Sequence, residues 1–277
     1  MTPTIGHRPT AADFAAARIL LEPWRWIAAP RFFELQHVPP DRPFLLVGNH
    51  TLMGVLDAPL LVVGLHERRD IVVRSLGDHL HFQVPLWRDL LERFGVVEGT
   101  PENCRALMRA GEPILVFPGG GREVFKHKGE QYQLVWKQRL GFVRLAIEHG
   151  FPIVPFAAVG AEECYDILVD GPELRASPIG PLLERVVPRL DEIPPLVAGI
   201  GPLPRPQRFY FWFAPPVETA THRGREHDDA LCHAVRDTVR DAVERGMRLL
   251  LAERERDPER DLGARIAAAL RGALGGP

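Results

Sequence analysis

Between residues 43 and 160 the chain alternates short apolar runs with longer amphipathic stretches, and that alternation leaves few folds open. PFLLVG (43–48), DIVVRSL (70–76), GVVEG (95–99), EPILVFP (112–118) and FPIVPFAAVG (151–160) read as buried strands. Helices are expected between them: one starting at Asp57-Ala58-Pro59, one over Leu86 to Phe94, PENCRALMRAG after Thr100, and RLGFVRLAIEHG (139–150). Prolines in first turns and glycines at ends punctuate these helices, because proline tolerates only the start and glycine readily takes the left-handed cap. RFYFWFAPPV (208–217) is a last strand. Such βαβα order calls for an α/β fold, a mostly parallel sheet sandwiched by helices.

The flanks differ. Thr10 and Asp13 make a capping-box-like start to AADFAAARILLEPWRWIAAPRFF, where Ile19, Leu20, Trp24, Trp26, Ile27, Phe32 and Phe33 are interleaved with arginines. Aromatic residues beside arginines suit a helix lying in a lipid headgroup layer; the same residues also suit a helix packed on the core. Prolines divide residues 171–206 into short apolar pieces, such as PLLERVV and IPPLVAGI, which form either a connection or a cover over an apolar cleft. Beyond residue 228 comes a long amphipathic helix, with another after Pro258. The expected organisation is an amphipathic helical segment over 1–40, a central domain over 41–220 and helices over 221–277. No apolar run reaches the 18 or so residues of a spanning helix, and the N-terminus does not resemble a signal peptide.

Several function classes fall away. With 34 basic and 36 acidic residues the chain presents no global field for nucleic acid. Three scattered cysteines fit neither a disulfide framework nor a CxxC metal pattern. Neither serine, Ser75 or Ser177, lies in G-x-S-x-G, and no Gly-Lys-Ser/Thr follows the glycine run, so nucleophile-elbow hydrolysis and ATP are not indicated. His79 and His81 near Asp78 lack a third partner for a metal.

Two constellations leave the carboxyl ends of strands, where parallel α/β sheets bind ligands. In the first, Asn49 and His50 end a strand and Asp57 follows Gly54. A histidine takes a proton from a hydroxyl near neutral pH, and a carboxylate orients the ring; alternatively His50 caps the loop and Asp57 caps the next helix. In the second, Phe117, Pro118, Gly119, Gly120, Gly121, Arg122 and Glu123 form a glycine loop whose backbone can approach a ligand closely. Arg122 either clamps an anion or pairs with Glu123, and the glycines alone would also suit a tight turn.

VGNHTLMGVLDAP, FPGGGREVFKHKGEQYQLVWKQRLGFVRLAI and GFPIVPFAAVGAEE together resemble the glycerolipid acyltransferase superfamily, in particular its neutral-lipid branch of phytyl ester synthases and diacylglycerol-acyltransferase-like proteins. The resemblance spans roughly residues 41 to 217. It implies that His50 and Asp57 are the family's His-Asp pair, that Phe117, Pro118, Gly120 and Arg122 match its third block and that Val154 and Pro155 match its fourth; Asn49, Gly119, Gly121 and Glu123 join that third block as candidate substrate-binding residues. The implied reaction moves a fatty acyl chain from an acyl-CoA or acyl carrier protein thioester, as co-substrate, to a lipid hydroxyl. No cofactor or metal is implied.

Three departures bear on this reading. Six residues separate His50 from Asp57 where the family's usual pair has four, and a continuous helix would set them about 10 Å apart along its axis. Gly119 replaces the glutamate of the FPEG block found in phosphate-acceptor enzymes. GVVEGTPENC lacks the arginine expected near its end. The expected acceptor is therefore neutral, such as diacylglycerol or a long-chain alcohol; the rival readings are a lysophospholipid acyltransferase and a thioesterase. The expected location is peripheral, on the cytoplasmic side of a membrane. Oligomeric state is specified by no motif.

Overall fold

The computed structural model describes residues 5–186, 194–201 and 203–274. Helix α1 (Ala11–Ala28) opens with a reciprocal cap. The Thr10 hydroxyl accepts Asp13 N–H at 3.3 Å, and Asp13 accepts Thr10 N–H at 2.9 Å. Caps of this kind are worth about 1 kcal/mol. The helix stops at Ala29, which is left-handed, and Pro30 has no N–H to continue it. Residues 31–33, expected as the end of the helix, instead form strand β1 (Arg31–Phe33). The chain leaves the helix beside an open sheet edge, and its backbone groups are satisfied there rather than in a further helical turn.

The remaining elements follow in chain order: β2 (Leu45–Gly48), α2 (Ala58–Arg69), β3 (Arg74–Gly77), α3 (Pro85–Arg93), β4 (Val96–Glu98), α4 (Pro101–Arg109), β5 (Ile114–Val116), α5 (Gly121–Val124), α6 (Gly141–His149) and β6 (Ile153–Val159). Then come β7 (Asp166–Val169), α7 (Gly171–Ala176), α8 (Gly180–Val186), β8 (Leu196–Ala198), β9 (Tyr210–Phe213), α9 (Asp229–Arg256) and α10 (Leu262–Leu274). A seven-stranded sheet runs β1-β9-β6-β2-β5-β3-β4. Strands β2 to β6 are mutually parallel, β9 joins β6 antiparallel, and β1 adds parallel to β9.

Alternation along the strands divides the core into two layers. Leu45, Val47, Ile114, Ile153 and Ala157 face α4, α6 and α9. Leu46, Leu115, Val154, Phe156 and Phe211 face α2 and the end of α1. Gly246 lets α9 lie close on the sheet, since a Cβ there would come within 2.4 Å of Trp212. The proline-rich stretch contributes β8, which pairs with β7 in a separate two-stranded sheet; residues 187–193 and 202 within it lie outside the described residues.

Helix α1 packs on the core along one face only. Phe14 and Ala17 are buried against Val63 of α2, whereas Ile19, Leu20 and Trp26 are exposed.

Candidate active site

His50 sits just beyond the carboxyl end of β2, in the middle of the parallel sheet. Its neighbour Asn49 is fully buried and exchanges two hydrogen bonds with the backbone of Ala158, at 2.9 and 2.8 Å. Asn49 is thereby a strut between β2 and β6. The His50 ring stacks on Phe117 with centroids 3.8 Å apart and planes 9° from parallel, and Phe117 in turn meets the edge of Phe156 at 5.9 Å. The other flank of the ring is Gly54, at φ +59°, where a Cβ would lie 2.5 Å from His50 Cε1 and 2.9 Å from Nε2. Only glycine both takes that backbone conformation freely and leaves the Cε1–Nε2 edge uncovered.

Nδ1 of His50 is buried without a hydrogen-bond partner. Burial first, then the charge of Lys126 and of His81, pushes the imidazole pKa down to about 3. The ring is therefore neutral, and able to accept a proton, across the ordinary pH range.

Asp57 lies at the same sheet edge, buried, as the N-cap of α2, with Oδ1 accepting Ala58 N–H at 2.8 Å. Burial raises its pKa, and the nearby Thr51 hydroxyl and backbone N–H groups oppose that shift. Thr51 Oγ1 itself has no well-aligned bond. The segment between His50 and Asp57 is a loop with two successive left-handed residues, Met53 and Gly54. It folds the chain back rather than spacing the pair along a helix. Among the described residues no hydrogen bond joins the His50 ring to Asp57.

The glycine loop leaves β5, the parallel neighbour of β2. Pro118 O accepts Arg139 Nη1 at 2.8 Å, Gly120 turns the chain at φ +54°, and Gly121 opens the single turn α5. Gly119 packs on the Glu123 side chain: a Cβ at 119 would sit 2.1 Å from Glu123 Oε2. Glu123 is fully buried, its Oε2 accepting His50 N–H at 3.2 Å and its Oε1 accepting Val135 N–H at 3.4 Å. Burial pushes this carboxyl up to about 7, against the pull of Lys126.

Arg122 is buried and enclosed. Its Nη2 donates to both oxygens of Glu130, at 2.6 and 2.8 Å, and lies 2.9 Å from His127 Nδ1, while Nη1 reaches Phe125 O at 3.3 Å. Arg122 thus pairs with Glu130, not with its neighbour Glu123.

Two further charged residues are interior. Lys126 and Glu162 are both buried and hydrogen-bonded to each other. They line a cleft of ≈ 220 Å³ with Leu52, Gln131 and Tyr165 beside the His50 loop. Glu162 also accepts Tyr132 N–H at 2.6 Å, and the Tyr132 hydroxyl donates to Glu163. Lysine followed by histidine and lysine reads as solvated, and only the fold brings Glu162 to it. Exposed His81 bonds Trp87 at 3.1 Å, and His79 pairs with Asp78.

The acyltransferase family pattern matches residues 30–159. Phytyl ester synthase 2, chloroplastic, of Arabidopsis thaliana is 31% identical over 256 residues, 84% of this chain and 36% of that protein. The human DGAT1/2-independent enzyme synthesizing storage lipids is 30% identical over 121 residues, 44% of this chain and 37% of that protein. A crystal structure of the 1-acyl-sn-glycerophosphate acyltransferase PlsC of Thermotoga maritima superposes with a TM-score of 0.48 at 15% identity, covering 83% of this chain and 82% of that one. Residues 30–159 thus carry the acyltransferase family pattern, and the chain is similar to the phytyl ester synthases over most of its own length. It spans little more than a third of the length of the phytyl ester synthases it matches.

Proposed function

We propose that this chain is an O-acyltransferase that moves a fatty acyl group from a coenzyme A or carrier-protein thioester to the hydroxyl of an uncharged lipid. His50 Nε2 takes the acceptor's hydroxyl proton as the oxygen attacks the thioester carbonyl. A tetrahedral intermediate forms, the C–S bond breaks, and the imidazolium returns the proton to the leaving thiolate. General-base catalysis of this kind contributes roughly 10²–10⁴ in rate. Asp57 supports the transient imidazolium, and backbone N–H groups of the glycine loop meet the oxyanion. The neutral, apolar-flanked imidazole supports the role of base.

The observation that carries the uncharged acceptor is the enclosure of Arg122. A phosphate monoester needs paired cations to leave water. The arginine in the glycine-loop block is already paired with Glu130, and the space beside Gly119 holds the carboxylate of Glu123. The names of the phytyl ester and storage-lipid relatives point the same way. Competition between diacylglycerol and lysophosphatidic acid at equal concentration in mixed micelles, with one labelled acyl-CoA, tests this. Triacylglycerol should predominate; predominant phosphatidic acid would overturn it.

The proposed location is the surface of a membrane. Among the described residues no helix is long and apolar enough to cross one. Exposed Ile19, Leu20 and Trp26 on α1 supply an apolar face of the kind that enters a headgroup layer.

A further inference from the structure

We propose that Glu123 is a positioning residue for His50: its buried carboxylate ties the His50 backbone, the glycine loop and the segment around Val135 into one unit. Three observations carry this. Oε2 accepts the N–H of His50 itself, so the anchor acts on the residue that bears the imidazole. Oε1 accepts Val135 N–H, so the same carboxylate also holds the segment that follows α5. Gly119 gives up its side chain to admit that carboxylate, because any Cβ there would collide with Oε2. The glycine in place of a carboxylate at 119 and the carboxylate at 123 are two halves of one arrangement.

Two backbone donors converge on two carboxylate oxygens, so the ionised form grips both, while a proton on either oxygen turns an acceptor into a donor. The charged and titratable groups around it are His50 beyond β2, Lys126 after α5 and Glu162 beyond β6. Lys126 favours the ionised form; burial and Glu162 oppose it. The carboxyl consequently changes charge near pH 7, in a range where His50 does not. An acid limb in the pH dependence of turnover near neutrality belongs to Glu123 and not to the base.

This inference rests on His50 as the general base, and the experiment separates the two. The full chain and the variants Glu123→Gln and His50→Ala are compared, with folding checked by thermal melts. Glutamine keeps the size and one acceptor but cannot receive both N–H groups. Ring ¹⁵N signals of His50, assigned by their loss in His50→Ala, are followed from pH 5 to 9. Wild type should show a step near pH 7 without protonation of the ring, and Glu123→Gln should show none. In turnover, Glu123→Gln should lower kcat about 10- to 100-fold with KM for acyl-CoA within about twofold, and should lose the acid limb. Identical His50 signals and an identical limb in wild type and Glu123→Gln would overturn the positioning role, even with His50→Ala inactive. A fully active His50→Ala would instead remove the base, and with it the object being positioned.

Discussion

Both carboxylate oxygens of Glu130 receive the same guanidinium nitrogen of Arg122, at 2.6 and 2.8 Å, so the arginine of the glycine-loop block enters the site already neutralised. Releasing it should change acceptor choice. Glu130→Gln keeps an acceptor for His127 N–H but removes the counter-charge. Use of lysophosphatidic acid relative to diacylglycerol should rise about tenfold, matching about 1.5 kcal/mol for a charge-assisted hydrogen bond. The ratio of the two products with one labelled acyl-CoA measures this, and an unchanged ratio would show that Arg122 does not govern acceptor charge.

The neutral state of His50 should also appear in stability. Its pKa falls from 6.5 in the unfolded chain to about 3 in the folded one, chiefly through burial. Between these values the unfolded chain binds the extra proton. This contribution is therefore complete above pH 6.5 and is lost as pH falls towards 3. Glu123 works in the opposite sense between 4.5 and about 7, since its folded-state pKa is the higher. Comparing wild type with His50→Phe, which keeps the stack on Phe117, isolates the histidine. The melting temperature of His50→Phe should fall less steeply on acidification from pH 6.5 to 4; parallel curves would contradict the buried neutral ring.

Exposed Ile19, Leu20 and Trp26 should carry membrane attachment. Deleting the whole N-terminal segment would also remove β1 from the sheet, so surface substitution is the cleaner test. Ile19→Glu combined with Leu20→Glu should reduce sedimentation with anionic vesicles roughly tenfold or more, since each apolar side chain buried contributes about 1.5–3 kcal/mol. The melting temperature should stay unchanged. Undiminished sedimentation would remove α1 from the attachment.

The parallel strands were legible because each is an apolar run bounded by turn residues, and their order along the chain matches the alternation with helices. Strand β1 was not. Arg31-Phe32-Phe33 follows a helix with similar apolar content, and only its partner Tyr210-Phe211-Trp212, far along the chain, makes it a strand. At the candidate site, the placement of His50 and of the glycine loop beyond strand ends could be read from sequence. The partners of the charges could not. Lys126 meets Glu162 across β6, and Arg122 turns away from its neighbour Glu123 because Glu130 returns in the loop after α5. Which carboxylate neutralises which cation depends on loop paths that local patterns do not encode.

The central claim is that His50 removes the acceptor's proton, and the most direct measurement is acyl transfer by His50→Ala with labelled acyl-CoA and diacylglycerol. The variant's melting temperature and circular dichroism should remain those of a folded protein. Turnover should fall by about 10²–10⁴, since the ring held between Phe117 and Gly54 is the group proposed to take the proton. A folded His50→Ala protein with normal turnover would contradict the account.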